Sequence, residues 1–295
     1  MAKQQRPIAG QVVAITGGAR GIGKATAQAF LARGCKVAIG DLDIAAAEQT
    51  AAELGEHCRA YPLNVCDRAS VKAFIDGAEA DLGPIGIFVN NAGIMQVGWR
   101  LWEEDDATTQ RMIDININGV SYGVKEAVPR MLARRSGHIV NVASSAGKAG
   151  FPGGATYCGT KHYVVGMSEA LRAELRGSGV EVSCVMPVLV NTELTDGCTD
   201  SRGVRKVEPQ EVADEIVAAV RERRFDVFVP RSVAAITWTL NMLPRGGREF
   251  VARALKADKV LAEVDMGKRA GYQLRASQSD PALPAAEERK QLTGS

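Results

Sequence analysis

Tyr157 and Lys161 stand four residues apart. If that segment is helical, both side chains face the same way. A phenol beside an ammonium is a proton-transfer pair. An unperturbed tyrosine titrates near ~10, too high for efficient base work at neutral pH, and a neighbouring positive charge favours the phenolate. Such a pair recurs by chance in many chains, so its weight comes from its company. Ser144 and Ser145 end the apolar run H-I-V-N-V-A-S-S, and Asn90-Asn91-Ala92-Gly93 ends another. As strands, both runs would deliver their polar ends to the carboxyl edge of one sheet, where doubly wound folds bind ligands. A serine there can hydrogen-bond a substrate oxygen as charge develops on it.

A second constellation lies near the start of the chain. Residues 16–23 read T-G-G-A-R-G-I-G, between an apolar run and a helical one. That is the context of a dinucleotide fingerprint. Gly17 permits the sharp turn, Gly21 lets backbone approach a pyrophosphate, and Gly23 lets helix and strand pack closely. Arg20 and Ile22 complete the loop, whose helix N-terminus offers free N–H groups to phosphate. Asp41 ends the next apolar run, 18 residues after Gly23. An acid there accepts hydrogen bonds from ribose hydroxyls and repels a 2′-phosphate, which argues for NAD. Arg20 pulls the other way, toward NADP, and Asp41 carries more weight because it lies closer to the 2′ position.

The elements that must hold these groups are legible as alternating β-branched runs and amphipathic stretches. Strands are predicted over 12–16, 35–40, 59–63, 87–90, 138–142, 180–186 and 226–229. Helices are predicted between them, at about 21–33, 44–54, 69–82, 155–176 and 208–223. A long helical stretch over 105–134 holds Gly119 and Pro129 and reads as two helices or one bent one. Seven strands in β-α order predict an α/β fold: a Rossmann-type, doubly wound parallel sheet covered on both faces. Residues 188–206 are polar and long for a connector, and read as a mobile loop.

Taken together these features resemble the short-chain dehydrogenase/reductase family, in its short-core branch, from about residue 10 to residue 229. The marks are TGxxxGxG at 16–23, Asp41, NNAG at 90–93, NING at 116–119, SSAG at 144–147 and YxxxK at 157–161. The resemblance implies a tetrad of Asn116, Ser144, Tyr157 and Lys161. Tyr157 would be the acid/base, and Asn116 would hold a water linking Lys161 to solvent. Ser144 is preferred to Ser145 because it lies 13 residues before Tyr157 and precedes x-A-G. By the same resemblance, Asn91, Ala92, Gly93, Tyr157 and Lys161 lie along the cofactor, and Asn64 and Val65 beside its adenine. Pro187, Val190 and Thr192 lie by the nicotinamide, with Thr192 on the carboxamide. Two departures stand out. Asn64 replaces the family's Asp, keeping an acceptor. Val188 replaces the Gly after Pro187. A β-branched residue disfavours positive φ, so that loop is expected to take another path.

The domain reading is one catalytic domain over 8–230, a C-terminal helical extension over 231–275 and a disordered tail over 276–295. Within the extension, residues 233–243 are apolar. They read first as a helix covering the core or an oligomer interface, second as a lid over a lipophilic substrate, and third as a membrane-surface element with Arg245 and Arg248 at the headgroups. Met95, Val97, Trp99, Phe151 and Leu194 fall where family members line the substrate cleft, and each could equally be core.

The remaining composition excludes other classes. Net charge is +2 from 36 basic and 34 acidic residues, with no basic run interleaved with aromatics, so nucleic acid is not expected. Six cysteines and three histidines do not cluster, so neither a metal nor a disulfide framework is expected. His138 and His162 read as structural. No secretory signal or membrane span is visible, and a cytoplasmic location is expected.

The expected function is an oxidoreductase moving a hydride between NAD(H) and a lipophilic secondary alcohol or ketone, such as a hydroxysteroid. The alternatives are an NADPH-dependent 3-ketoacyl-thioester reductase and a nucleotide-binding sensor without turnover. The resemblance also implies a homodimer or homotetramer formed through the long helices.

Overall fold

The computed structural model describes residues 6–199, 205–277 and 279. Seven strands form one parallel sheet: β1 (Val12–Thr16), β2 (Lys36–Asp41), β3 (Cys58–Pro62), β4 (Ile85–Asn90), β5 (Gly137–Val142), β6 (Val180–Pro187) and β7 (Asp226–Val229). Their spatial order is β3-β2-β1-β4-β5-β6-β7, and all pairs are parallel. The order reverses between β1 and β4, which opens a crevice at the carboxyl edge. The sheet is the predicted Rossmann-type one, with boundaries displaced by a residue or two. β4 starts earlier than predicted because Gly86 interrupts the apolar pattern. A side chain there would meet the Gln11 amide oxygen at 2.8 Å.

Strand residues alternate between two apolar layers. Val13, Ile15, Val37, Ile39, Val140 and Val185 face α1 (Gly21–Leu31), α2 (Ile44–Leu54) and α7 (Pro209–Glu222). Ala14, Ala38, Phe88, Ile139 and Met186 face α3 (Arg68–Leu82), α5 (Val120–Ala133) and α6 (Ala155–Glu174). Asp43 and Asp67 start α2 and α3 by accepting the Ala46 and Ala69 N–H groups.

The long helical stretch is one continuous run. α4 (Asp106–Ile113) passes into a π-helical turn, Asp114–Gly119, and then into α5. Gly119 is needed there because a Cβ would stand 3.0 Å from the Val65 side chain. π-helical turns of this kind gather at functional sites, and this one carries Asn116.

Beyond β7 come α8 (Ser232–Met242), α9 (Arg245–Ala254) and α10 (Met266–Ser277). Ala276, placed in the predicted tail, is a buried residue of α10. The rest of that tail from residue 280 lies outside the described residues. Val260, Leu261 and Ala276 join Met95, Val97 and Tyr157 in a third apolar cluster, which welds the extension to the sheet edge.

The described part of the predicted mobile loop is tied down. Val207 donates to Leu189 O and accepts from Asn191 N. Thr195 Oγ1 donates to Val190 O at 2.6 Å. Residues 200–204 lie outside the described residues.

Candidate active site

The glycine loop is fixed by the end of β4. Thr16 Oγ1 accepts the Asn91 and Ala92 N–H groups, each at 3.0 Å. The Asn91 amide nitrogen donates to Thr16 O and Gly17 O, both at 2.9 Å. Its two donors are thereby consumed, so Asn91 shapes the loop rather than offering an N–H to a ligand. Gly17 and Gly21 have positive φ, +65° and +52°. At Gly23 a Cβ would sit 2.1 Å from Gly17 O, so no side chain fits. The loop therefore has the bare backbone and close helix approach that a pyrophosphate requires.

Asp41 accepts the Ala19 N–H at 3.0 Å and the Asp43 N–H at 3.1 Å. Its carboxylate is thus oriented at the cavity wall. Arg20 is paired with Asp43 at 2.6 Å, and that ion pair holds the Asp43 carboxyl below its ordinary range. Asn64 Oδ1 accepts the Cys66 N–H at 3.0 Å, closing a local turn beside Val65.

Across the crevice, β5 and α6 bring the second constellation together. Ser144 Oγ accepts the Ala146 N–H at 3.1 Å and donates to Pro187 O at 3.5 Å. Tyr157 is 7% exposed. Burial raises its phenol above the ordinary tyrosine range, and the hydrogen-bonding Ser144 hydroxyl pulls it back down. Lys161 Nζ lies 5.8 Å from the Tyr157 ring centroid and donates to Val142 O at 3.1 Å. Burial lowers the Lys161 ammonium to about 8. Asn116 is fully buried, and its Oδ1 accepts Ile94 N at 2.9 Å. Its Nδ2 donates to Ile94 O and to Thr160 Oγ1. A Cβ on Gly93 would lie 3.2 Å from Asn116 Oδ1 and 3.6 Å from Lys161 Nζ, so these three residues converge.

Val188 does not adopt positive φ. Its N–H bonds Val229 O at 3.0 Å, extending the β6–β7 ladder by one residue. The loop still returns to the site: the Thr192 methyl packs over Gly21, where a Cβ would meet it at 3.3 Å.

Both constellations open on one cavity of about 1270 Å³. Its wall includes Gly17, Arg20, Gly21, Ile22, Asp41, Asn64, Val65, Asn91, Ala92 and Gly93. It continues through Ser144, Tyr157, Lys161, Pro187, Val190 and Thr192. Gly23 and Asn116 stand behind this wall. Met95, Phe151 and Leu194 line the cavity, whereas Val97 and Trp99 do not, and Val97 is fully buried core. His138 is buried against Ser183 at 2.8 Å, and burial lowers it to about 3, so it is neutral. His162 bonds Cys158 O.

The sequence raised a lid role for residues 233–243 of the extension but not the contribution of α10. Arg269, fully buried on α10, donates to Leu194 O, Asp196 O and Met95 O at 2.9, 2.8 and 2.6 Å. Its guanidinium lies 4.9 Å from the Tyr272 ring centroid. The Tyr272 hydroxyl accepts Met95 N–H at 2.7 Å and lines the cavity. Arg275 bonds Glu193 at 2.6 Å. A basic, aromatic stretch 266–277 carried no motif to flag it.

The sequence matches the short chain dehydrogenase family over residues 11–203. The chain belongs to that family and is an oxidoreductase acting on CH–OH groups. It is 38% identical over 193 residues to an uncharacterized oxidoreductase of Staphylococcus saprophyticus, covering 64% of this chain and 78% of that one. It is 32% identical over 279 residues to rat 17-beta-hydroxysteroid dehydrogenase 13, covering 92% and 90%. Among solved structures, a short chain dehydrogenase/reductase of Burkholderia phymatum in complex with NAD superposes with a TM-score of 0.73 at 28% identity, covering 79% of this chain and 93% of that one. A 3-ketoacyl-(acyl-carrier-protein) reductase of Brucella melitensis complexed with NADH gives 0.69 at 27% identity, covering 75% and 97%.

Proposed function

We propose that this protein is an NAD-dependent dehydrogenase of lipophilic secondary alcohols, running in reverse as a ketone reductase. The observation that carries the reading is the single cavity. It joins the glycine loop and Asp41 at one end to Ser144, Tyr157 and an apolar chamber at the other.

Asp41 supports NAD. Its oriented carboxylate has lone pairs left for ribose hydroxyls, and its charge opposes a 2′-phosphate. Arg20, the cation that could favour a phosphate, is already engaged by Asp43. When bound, the nicotinamide supplies the acceptor for the hydride. Ser144 holds the substrate oxygen, and Tyr157 takes its proton on oxidation or returns one on reduction. The Lys161 ammonium favours the Tyr157 phenolate against the cost of burial. Both Asn116 amide hydrogens are taken by Ile94 and Thr160, so a water relay would rest on the second lone pair of its Oδ1 or on its main-chain carbonyl.

The substrate class follows from the chamber. Leu194, Val233, Leu240, Val260 and Leu261 supply apolar wall, and most of these come from the extension. The match to the rat hydroxysteroid dehydrogenase covers 92% of this 295-residue chain, which cannot end at residue 230. The Brucella 3-ketoacyl reductase, matched over 97% of its own length, covers only 75% of this chain. The extension therefore favours the lipophilic alcohol over the ketoacyl-thioester reading.

The test is kcat/KM with NAD and NADP on a series from short aliphatic to steroid alcohols. The expected result is a preference for NAD that Asp41→Ala relaxes by about tenfold or more, equivalent to about 1.4 kcal/mol. A clear NADP preference in the wild type would remove the cofactor reading, and best turnover on short polar alcohols would remove the substrate reading.

A further inference from the structure

The outer face of the extension exposes large apolar side chains, as the Leu101–Trp102 turn also does, but here they stand among basic residues rather than beside Glu103 and Glu104. On α8, Val233, Thr237 and Leu240 line the cavity. Trp238 and Met242, on the opposite side of the helix, are 70% and 71% exposed. On α9, Phe250 is 68% exposed and takes no part in the cavity wall. Arg245 and Arg248 are both exposed and cavity-lining, which places the mouth of the cavity beside these helices.

The charge of this segment is equally distinct. Residues 231–259 hold six basic residues (Arg231, Arg245, Arg248, Arg253, Lys256, Lys259) against Glu249 and Asp258, a net +4, of which Arg231 and Lys259 are paired with Glu215 and Glu263 outside the segment. The whole chain is +2, so the remainder is −2. Exposed Trp, Met and Phe among arginines and lysines suit the headgroup boundary of an anionic bilayer. An isologous contact with a second copy of the chain would set this positive face against another like it, at an electrostatic cost. Among the described residues no helix is long and apolar enough to cross a membrane, so the contact would be peripheral.

We propose that the α8–α9 face docks on an anionic lipid surface. Trp238, Met242 and Phe250 enter the headgroup region, Arg253 and Lys256 meet lipid phosphates and carboxylates, and the cavity mouth opens onto the bilayer. A lipophilic alcohol then reaches the cavity from the lipid phase without crossing water. The entry route rests on the lipophilic-substrate reading, whereas the docking does not.

The test is co-sedimentation of the full chain with phosphatidylcholine vesicles, with and without phosphatidylserine. Binding is expected only with phosphatidylserine, and it should weaken with salt. Trp238→Ser/Met242→Ser/Phe250→Ser should cut it by at least ~10-fold. Arg253→Glu/Lys256→Glu should cut it by about fivefold per residue or more. Both variants should keep wild-type turnover of a water-soluble secondary alcohol, since none of the five residues lines the cavity. The docking is overturned if the wild type ignores both vesicles or if the apolar variant binds undiminished. It is also overturned if that variant only dissolves an oligomer, which would assign the face to a second copy. Docking without turnover of any lipophilic alcohol would instead overturn the substrate reading and leave the docking in place.

Discussion

The two ends of the cavity are built by different means. The end proposed for the cofactor is made of backbone. Its glycines, the Thr16–Asn91 clamp and Asp41 come from the ends of β1, β2 and β4, and the bonds there run chiefly between side chains and main chain. The substrate end is made of side chains brought from the far end of the chain. Arg269 reaches Met95 across 174 residues, and Met95 reaches Tyr272 across 177. Backbone geometry accepts few residue types, so it writes itself into a short sequence. Side-chain packing accepts many, so it does not.

Breaking each end separately sharpens that difference. The largest effect on stability is expected from Arg269→Met. It leaves the carbonyls of Met95, Leu194 and Asp196 without their buried donor, at a cost of about 3–5 kcal/mol. Thermal unfolding should shift down sharply and KM for a bulky alcohol should rise, while NADH affinity changes little. A parallel loss of NADH affinity would show that the two ends are not independent.

Gly23→Ala should do the reverse. Its methyl would collide with Gly17 O, and NADH binding should weaken by ~100-fold, about 2.7 kcal/mol. Calorimetric titration measures this directly, and wild-type affinity would refute the close approach at the loop.

Lys161→Met tests the seam between the ends, with a smaller effect. Burial holds the folded ammonium at about 8, below its ordinary value of 10.5. A lysine depressed in the folded state costs stability below the folded pKa. That cost is relieved as pH rises toward the unfolded value, because the unfolded chain binds more protons in between. The variant should therefore be more stable than wild type near neutrality by about 1–3 kcal/mol, after loss of the Val142 hydrogen bond. The gap should close between pH 8 and 10.5. Denaturation at a series of pH values reads it, and a gap that widens with pH would contradict the assignment.

What could be read from the sequence follows the same division. The parallel sheet was legible because β-branched runs alternate with helices, and the geometry of the glycine loop because positive φ at Gly17 and Gly21 and close approach at Gly23 favour glycine. Val188 was legible in part: a β-branched residue disfavours positive φ, and the chain avoids it there by prolonging the β6–β7 ladder. The loop after it was expected to be mobile, since nothing local reveals that Arg269 will occupy its carbonyls. The buried Asn90–Asn141–Ser168 chain of hydrogen bonds, 2.8 and 2.9 Å, was equally hidden. Its one local sign is a polar Asn in the middle of an apolar strand.

The most direct measurement of the central claim is the rate of NADH formation from a lipophilic secondary alcohol, in wild type and Tyr157→Phe, with NADH affinity measured alongside. The account predicts turnover in the wild type and a loss of about 1000-fold in the variant, with cofactor binding retained. Turnover undiminished in the variant would contradict the role of Tyr157, and with it the reading of the cavity as this enzyme's catalytic centre.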